Sequence, residues 1–260
     1  MTSGRWNDLR ARILSALILL AIAAGSLWLG PTQFGLFVLV LVAAMHWELA
    51  RMIVTNVTWQ GFASAGVAVI ASIGVVYYPD PVQQGIIFGV NAVVQAVLVR
   101  RMIMRAALYS CAILLAGLVL YRLDVTYGVR AILWLTGLVV VTDIAGYFAG
   151  RIIGGPKFWP RFSPKKTWSG ALAGWAAAVG LSVAMLPQIT PDLGLTSIVV
   201  LAIVLSFCSQ MGDIFESAIK RKFDVKDSSN LIPGHGGVLD RMDGIVGAAL
   251  AFGLVGPWVL

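Results

Sequence analysis

Nine apolar runs account for most of this 260-residue chain: 13–29, 34–54, 61–78, 82–99, 103–120, 130–151, 169–187, 195–218 and 243–260. A helix needs about 20 apolar residues to cross a bilayer, and these runs are of that order. Only 12% of the residues are charged, against roughly 25% in soluble domains. The expected fold class is therefore an all-α integral membrane protein with about nine transmembrane helices. Two runs are the least regular: 34–54 contains His46, Glu48 and Arg51, and 82–99 contains Asn91. Eight spans are thus an open alternative, and nine agree best with the charge distribution.

With the N-terminus in the cytoplasm, 17 of the 19 basic residues fall in cytoplasmic segments, and only Arg122 and Arg130 fall outside. That asymmetry is the positive-inside pattern. Basic cytoplasmic loops orient the chain and attract anionic lipid headgroups, so the net charge of +7 calls for no nucleic-acid partner. The first run follows a basic segment as a signal peptide would, but it lacks a small-x-small cleavage pattern and reads as a retained anchor. Cys111 and Cys208 sit singly in separate runs, which suggests neither a disulfide nor a metal-spaced pair.

The chain divides by character into residues 1–125, mainly structural helices, and 126–260, where the chemistry gathers. In the first part, His46 and Glu48 just before Arg51 read as a snorkelling, self-paired cluster near the inner surface rather than as a catalytic group. In the second part lie eight of the twelve acids, and seven of those fall on the cytoplasmic side; Asp192 is the outer exception.

Three stretches carry candidate chemistry. In "VTDIAGYFAGRIIGGPKF", Asp143 lies about eight residues from the inner end of its run, hence about 12 Å deep at the helical rise. A carboxylate at that depth is costly and needs a partner. Gly146, Gly150 and Gly154 recur every fourth residue, a spacing that lets another helix approach closely. In "SPKKTWSG", Ser163, Lys165, Lys166 and Thr167 precede a helix start and offer positive charge, hydroxyls and free backbone N–H groups to phosphate oxygens. The P-loop spacing is absent, and paired lysines at a helix end also serve as a plain topology signal. In "SQMGDIFESAIKRKFDVKD", Asp213, Glu216 and Lys220 share one helix face at i, i+3 and i+7. They form either a salt-bridged ladder or a hold for a hard cation, which prefers carboxylate oxygens.

"LIPGHGGVLDRMDG" follows. Pro233 and its neighbouring glycines favour an irregular loop whose bare backbone can approach a ligand. Asp240, Arg241 and Asp243 then open the last run, so carboxylates ending one helix and starting another can meet at one depth. His235, in a glycine-rich loop beside acids, is a functional candidate.

The run "SAIKRKFDVKDSSNLIPGHGGVLDRMD", Ser217 to Asp243, resembles the signature of the phosphatidate cytidylyltransferases, also called CDP-diacylglycerol synthases. It matches gaplessly at Ser217, Lys220, Arg221, Lys226, Asp227, Ser229, Ile232, Pro233, His235, Gly236, Gly237, Asp240, Arg241 and Asp243. "TDIAGYFAGRIIG", "SPKKTWSG" and "SQMGDIFES" resemble the family's other motifs, in the family's order. One departure is small: Ser228 and Ser229 stand where many relatives carry a Ser-Gly pair.

The resemblance implies a reaction in which the phosphate of phosphatidic acid attacks the α-phosphate of CTP, giving CDP-diacylglycerol and pyrophosphate. It implies Mg²⁺, with a second cation such as K⁺ beside it, and it maps the metal positions to Asp213 and Asp240, with Glu216 and Asp243 in support. Ser163, Lys165, Lys166, Thr167, Ser217, Lys220, Arg221, Lys226 and Arg241 are the candidates for substrate phosphates. Asp143 and His235 are candidates to orient or deprotonate the attacking phosphate, and Lys220, Arg221, Asp240 and Arg241 stand with them as catalytic candidates. CTP, phosphatidic acid and membrane lipids are the expected partners, a homodimer the expected assembly, and a bacterial cytoplasmic membrane with an inward-facing site the expected location. A transporter of an anionic substrate would place its charges near the midplane on broken helices, commonly in repeats, and no repeat is visible here. A CDP-alcohol phosphotransferase carries a different acidic motif, which "DRMDG" does not reproduce. A catalytically dead relative is disfavoured because every expected charged position is filled.

Overall fold

The computed structural model describes residues 3–54, 58–100, 102–160 and 163–259. Arg101 and Arg161, two of the basic residues used for orientation, lie outside them. Among the described residues the chain forms nine helices: α1 (Ser3–Leu29), α2 (Pro31–Ile53), α3 (Thr58–Tyr77), α4 (Pro81–Val99), α5 (Ile103–Tyr127), α6 (Val129–Ile152), α7 (Trp168–Met185), α8 (Leu195–Lys222) and α9 (Leu239–Val259). Eight of them, α1 to α8, are long and apolar enough to cross a membrane, and α9 opens with charged residues before its apolar part. This is an all-α integral membrane protein. Hydrocarbon offers no hydrogen bonds, so each spanning segment must satisfy its own backbone, which a helix does. Outward-facing side chains such as Trp28 (88% exposed) and Ile152 (79% exposed) mark surfaces built for lipid rather than water.

Local chemistry sets the helix ends. Pro31 and Pro81 occupy first-turn positions, where proline's missing N–H costs nothing. Asp80 caps α4 by accepting from the Gln83 amide at 3.0 Å. The stretch expected as a loop before α7 is instead a short antiparallel hairpin, β1 (Lys157–Trp159) and β2 (Ser163–Thr167). It ends at Thr167, whose hydroxyl caps α7 by accepting from the Gly170 amide at 3.2 Å.

The helices group into two compact units. The first comprises Met1–Tyr121 with Phe223–Arg241, and the second Arg122–Lys222 with Met242–Leu260. The segment carrying the "PGHGG" loop thus clusters with the N-terminal helices.

In the first unit a chain of buried polar groups joins α2, α3, α4 and α5. The Ser110 hydroxyl lies 3.0 Å from His46 Nε2 and 2.8 Å from the Asn91 amide. Gln95 bonds both the backbone and the hydroxyl of Ser64. Interhelical bonds of this kind hold helices together where burying apolar surface from lipid gains little.

In the second unit small residues do the same work. A Cβ added at Gly170 would stand 2.5 Å from the Gly146 carbonyl, and one at Gly150 would stand 2.9 Å from the Thr167 hydroxyl, so α6 and α7 approach closely at both. Gly154 differs from the expected pattern: it lies past the end of α6 with φ +67° and serves the turn. α8 and α9 touch through Gly212 and Gly247, where a Cβ would overlap the carbonyls of Asp243 and Cys208.

Gly247→Ala should therefore cost about 1–3 kcal/mol through overpacking, read as a melting temperature several degrees lower in detergent. Gly180→Ala, in open space on α7, should be neutral or stabilising by up to about 1 kcal/mol. Equal effects would remove the close α8–α9 contact as a determinant of stability.

Candidate active site

In the first unit the "PGHGG" loop is folded around two carboxylates. Asp240 Oδ2 accepts three bonds, from the Ser228 amide and hydroxyl, both at 2.8 Å, and from the Gly237 amide at 2.7 Å. Glu48, on α2 and fully buried, accepts from the Ser229 hydroxyl at 2.5 Å, the Val238 amide at 2.9 Å and the Leu239 amide at 2.7 Å. These donors leave no room for side chains. Gly236 sits at φ +84°, and a Cβ at Gly237 would overlap both the Ser228 hydroxyl and the Glu48 carboxylate.

His235 and Arg241 are fastened in the same loop. Arg241 places Nε and Nη2 on the His235 carbonyl at 3.0 and 2.7 Å. The Ser15 hydroxyl, from α1, lies 3.0 Å from the Pro233 carbonyl and 2.9 Å from His235 Nδ1. Lys226 and Arg51 line a separate cavity of about 340 Å³ together with Asp227, Ser228, Ser229 and Asn230.

Here the structure corrects the sequence reading of α2. Glu48 and Arg51 do not pair: the Arg51 guanidinium lies 5.1 Å over the Trp47 ring, while Glu48 points inward to the loop. Positions three apart on a helix are neighbours only if both side chains turn to the same surface, and here one faces solvent and the other the core. The signal that marked Asp143, an acid inside an apolar run, was equally present at Glu48. Arg51 at i+3 offered a nearer explanation.

In the second unit a cavity of about 480 Å³ is lined by Asp143, Lys165, Lys166 and Thr167, together with Tyr147 and Arg151. Residues of α6 and of the segment leading into α7 thus face one space, and Arg151, which the sequence did not single out, is among them. Lys166 Nζ pairs with Asp213 Oδ2 at 2.5 Å. Asp143 lies in the field of both. Gly146, Gly150 and Gly170 line the cavity too, and Tyr147, also in its lining, is more than half exposed.

The acid ladder on α8 resolves into separate roles. Lys220 Nζ bonds Glu216 Oε2 at 2.8 Å, both buried, so this lysine is held by a carboxylate where a phosphate contact was expected. Ser217 donates to Asp213 Oδ1 at 3.4 Å, and Arg221 is exposed at the helix end. Asp243 bonds its neighbouring Gly244 amide at 2.7 Å and shares a side-chain hydrogen bond with Glu216. Among the described residues no three His, Cys, Asp or Glu side chains group tightly enough to hold a metal by themselves. Asp213 and Asp240 are hard oxygen donors oriented by hydrogen bonds, as metal-holding carboxylates are.

The two acids should differ in what they do for folding. Asp240→Asn weakens three bonds to one oxygen and should cost about 1.5–3 kcal/mol, while Asp213→Asn loses a partly exposed pair and should cost about 1 kcal/mol or less. Thermal unfolding of the two variants side by side checks this, and equal melting temperatures would remove Asp240 as the loop's anchor.

The match to known proteins spans nearly the whole chain. Residues 10–256 fit the model of a cytidylyltransferase family. The chain is 39% identical over 261 residues to the phosphatidate cytidylyltransferases of Brucella suis biovar 1 (strain 1330) and Brucella melitensis biotype 1, covering 96% of this chain and 94% of each relative. Its similarity to the phosphatidate cytidylyltransferase of Bacillus subtilis (strain 168) is 42% over 119 residues, 45% of this chain and 44% of the relative.

Proposed function

This chain belongs to the cytidylyltransferase family, and we propose that it transfers the cytidylyl group of CTP to phosphatidic acid, giving CDP-diacylglycerol and pyrophosphate. The observation that carries this reading is the second unit's cavity, where Asp143, Arg151, Lys165, Lys166 and Thr167 line a space together with the exposed Tyr147. A phosphate on an acyl-bearing lipid can enter there with its chains still in the membrane.

In this reaction an oxygen of the lipid phosphate forms a bond to the α-phosphorus of CTP. The bond from that phosphorus to the bridging oxygen breaks, and pyrophosphate leaves with the electron pair. The nucleophile is already an anion near neutral pH, so the protein's task is to position it and to neutralise spread negative charge. Lys165, Lys166 and Arg151 answer that need at the lipid phosphate. In the first unit Lys226 and Arg241 are the cations offered to nucleotide phosphates, and His235 is the group offered to orient the attacking phosphate. The carboxylates offered to Mg²⁺ are Asp213 in the second unit and Asp240 in the first, with Glu216 and Asp243 in support. When bound, Mg²⁺ supplies charge neutralisation on the phosphates. The positive-inside pattern supports a site open to the cytoplasm of a bacterial cell, where a soluble nucleotide meets a lipid headgroup.

Purified protein in detergent with Mg²⁺ should release pyrophosphate from CTP only when phosphatidic acid is added, and not from ATP, GTP or UTP. Folded protein that releases none with any nucleotide would overturn the reading. Asp213→Ala and Asp240→Ala should each lower turnover by on the order of 10²-fold or more, as loss of a group that neutralises developing charge does. Retained turnover in either variant would remove that residue from the metal assignment.

A further inference from the structure

Glu48 lines neither cavity, and its carboxylate is fully buried and bonded to three donors. We propose that Glu48 is a positioning residue for cytidylyl transfer, setting the depth and rotation at which the first turn of α9 presents Asp240 and Arg241. This rests on the function proposed above.

The first N–H groups of a helix have no partner within it, and they gather the positive end of the helix dipole. A cap normally comes from the residue just before the helix. Here it comes from 190 and 191 positions away in the chain, so the same bonds that cap α9 also fasten it to α2. Oε1 takes the Val238 amide and the Ser229 hydroxyl while Oε2 takes the Leu239 amide, and two oxygens bound on different sides fix rotation as well as distance. Asp240 and Arg241 follow directly in the chain, and each is bonded back to the loop, at Ser228 and Gly237 and at His235. Moving the first turn therefore moves both of these groups together with His235. Gly237 is part of the same device, since a side chain there would occupy the carboxylate's place.

Glu48→Gln keeps the side chain's size but turns an N–H₂ toward one of the donors. Amide hydrogen exchange and steady-state kinetics on the full-length protein test the proposal together. Exchange at Val238 and Leu239 should accelerate by on the order of tenfold or more, while the α3 and α4 amides keep their protection. Turnover should fall by on the order of 10–100-fold, with KM for CTP changed by less than about threefold, as misplacement of prepared groups predicts. Glu48→Asp, which keeps the charge, should recover part of the lost kcat. Ser229→Ala, which removes one donor of the three, should shift both readouts less, and it carries the test if the Glu48 variants do not fold.

A loosened loop with wild-type kcat would assign Glu48 to stability alone and overturn the proposal. Unchanged exchange would overturn it too, as would activity lost only in proportion to unfolded protein. If the unaltered protein shows no lipid-dependent pyrophosphate release, the functional reading fails while the exchange data still report on the tether, so the two failures are distinct.

Discussion

A carboxylate enclosed in protein must receive hydrogen bonds in place of those it made to water, or the charge is too costly to keep. Glu48 meets that requirement with donors from one loop, and the loop takes its shape in doing so. Ser229 turns inward, the Val238 and Leu239 amides point at α2, and position 237 is left without a side chain. Asp240 repeats the arrangement within the loop by drawing three donors to a single oxygen. Two acids thus organise a segment whose own composition, rich in glycine, would favour many conformations.

The second unit solves a related problem with open space. Its charges face a cavity rather than a sealed interior, and they partly offset one another: Lys166 holds Asp213, and Asp143 stands in the field of both. A phosphate entering such a place exchanges hydration for cations, hydroxyls and the capped start of α7. The glycines that let α6 and α7 approach closely also line the cavity.

Cohesion in the remaining helices follows from their solvent. Lipid tails are as apolar as leucine, so association rests on close contact and on polar groups that find each other. The bonds among His46, Ser110, Asn91, Gln95 and Ser64, and the α8–α9 contact at Gly212 and Gly247, are those two means in turn. Asn91, which made the run at 82–99 irregular as a span, joins α4 to its neighbours together with Gln95.

The helices were legible because hydrocarbon admits few backbone solutions, and an apolar run of bilayer length already specifies one of them. As candidates, the acids at 143, 213 and 240 and the lysines at 165 and 166 were legible because charge is rare in such a chain and each instance needs a reason. The hairpin at 157–167 was not, since three- and five-residue strands leave no periodic pattern to read. Nor were the partners of the charges. Spacing along α2 allowed Glu48 to meet Arg51, and spacing along α8 allowed Asp213 to stand with Glu216. Which face of each helix turns toward which neighbour is decided by packing across stretches of chain as long as the 181 residues between Glu48 and Ser229. A sequence records that a buried charge must be answered, and only the folded chain brings the answering donors within 3 Å.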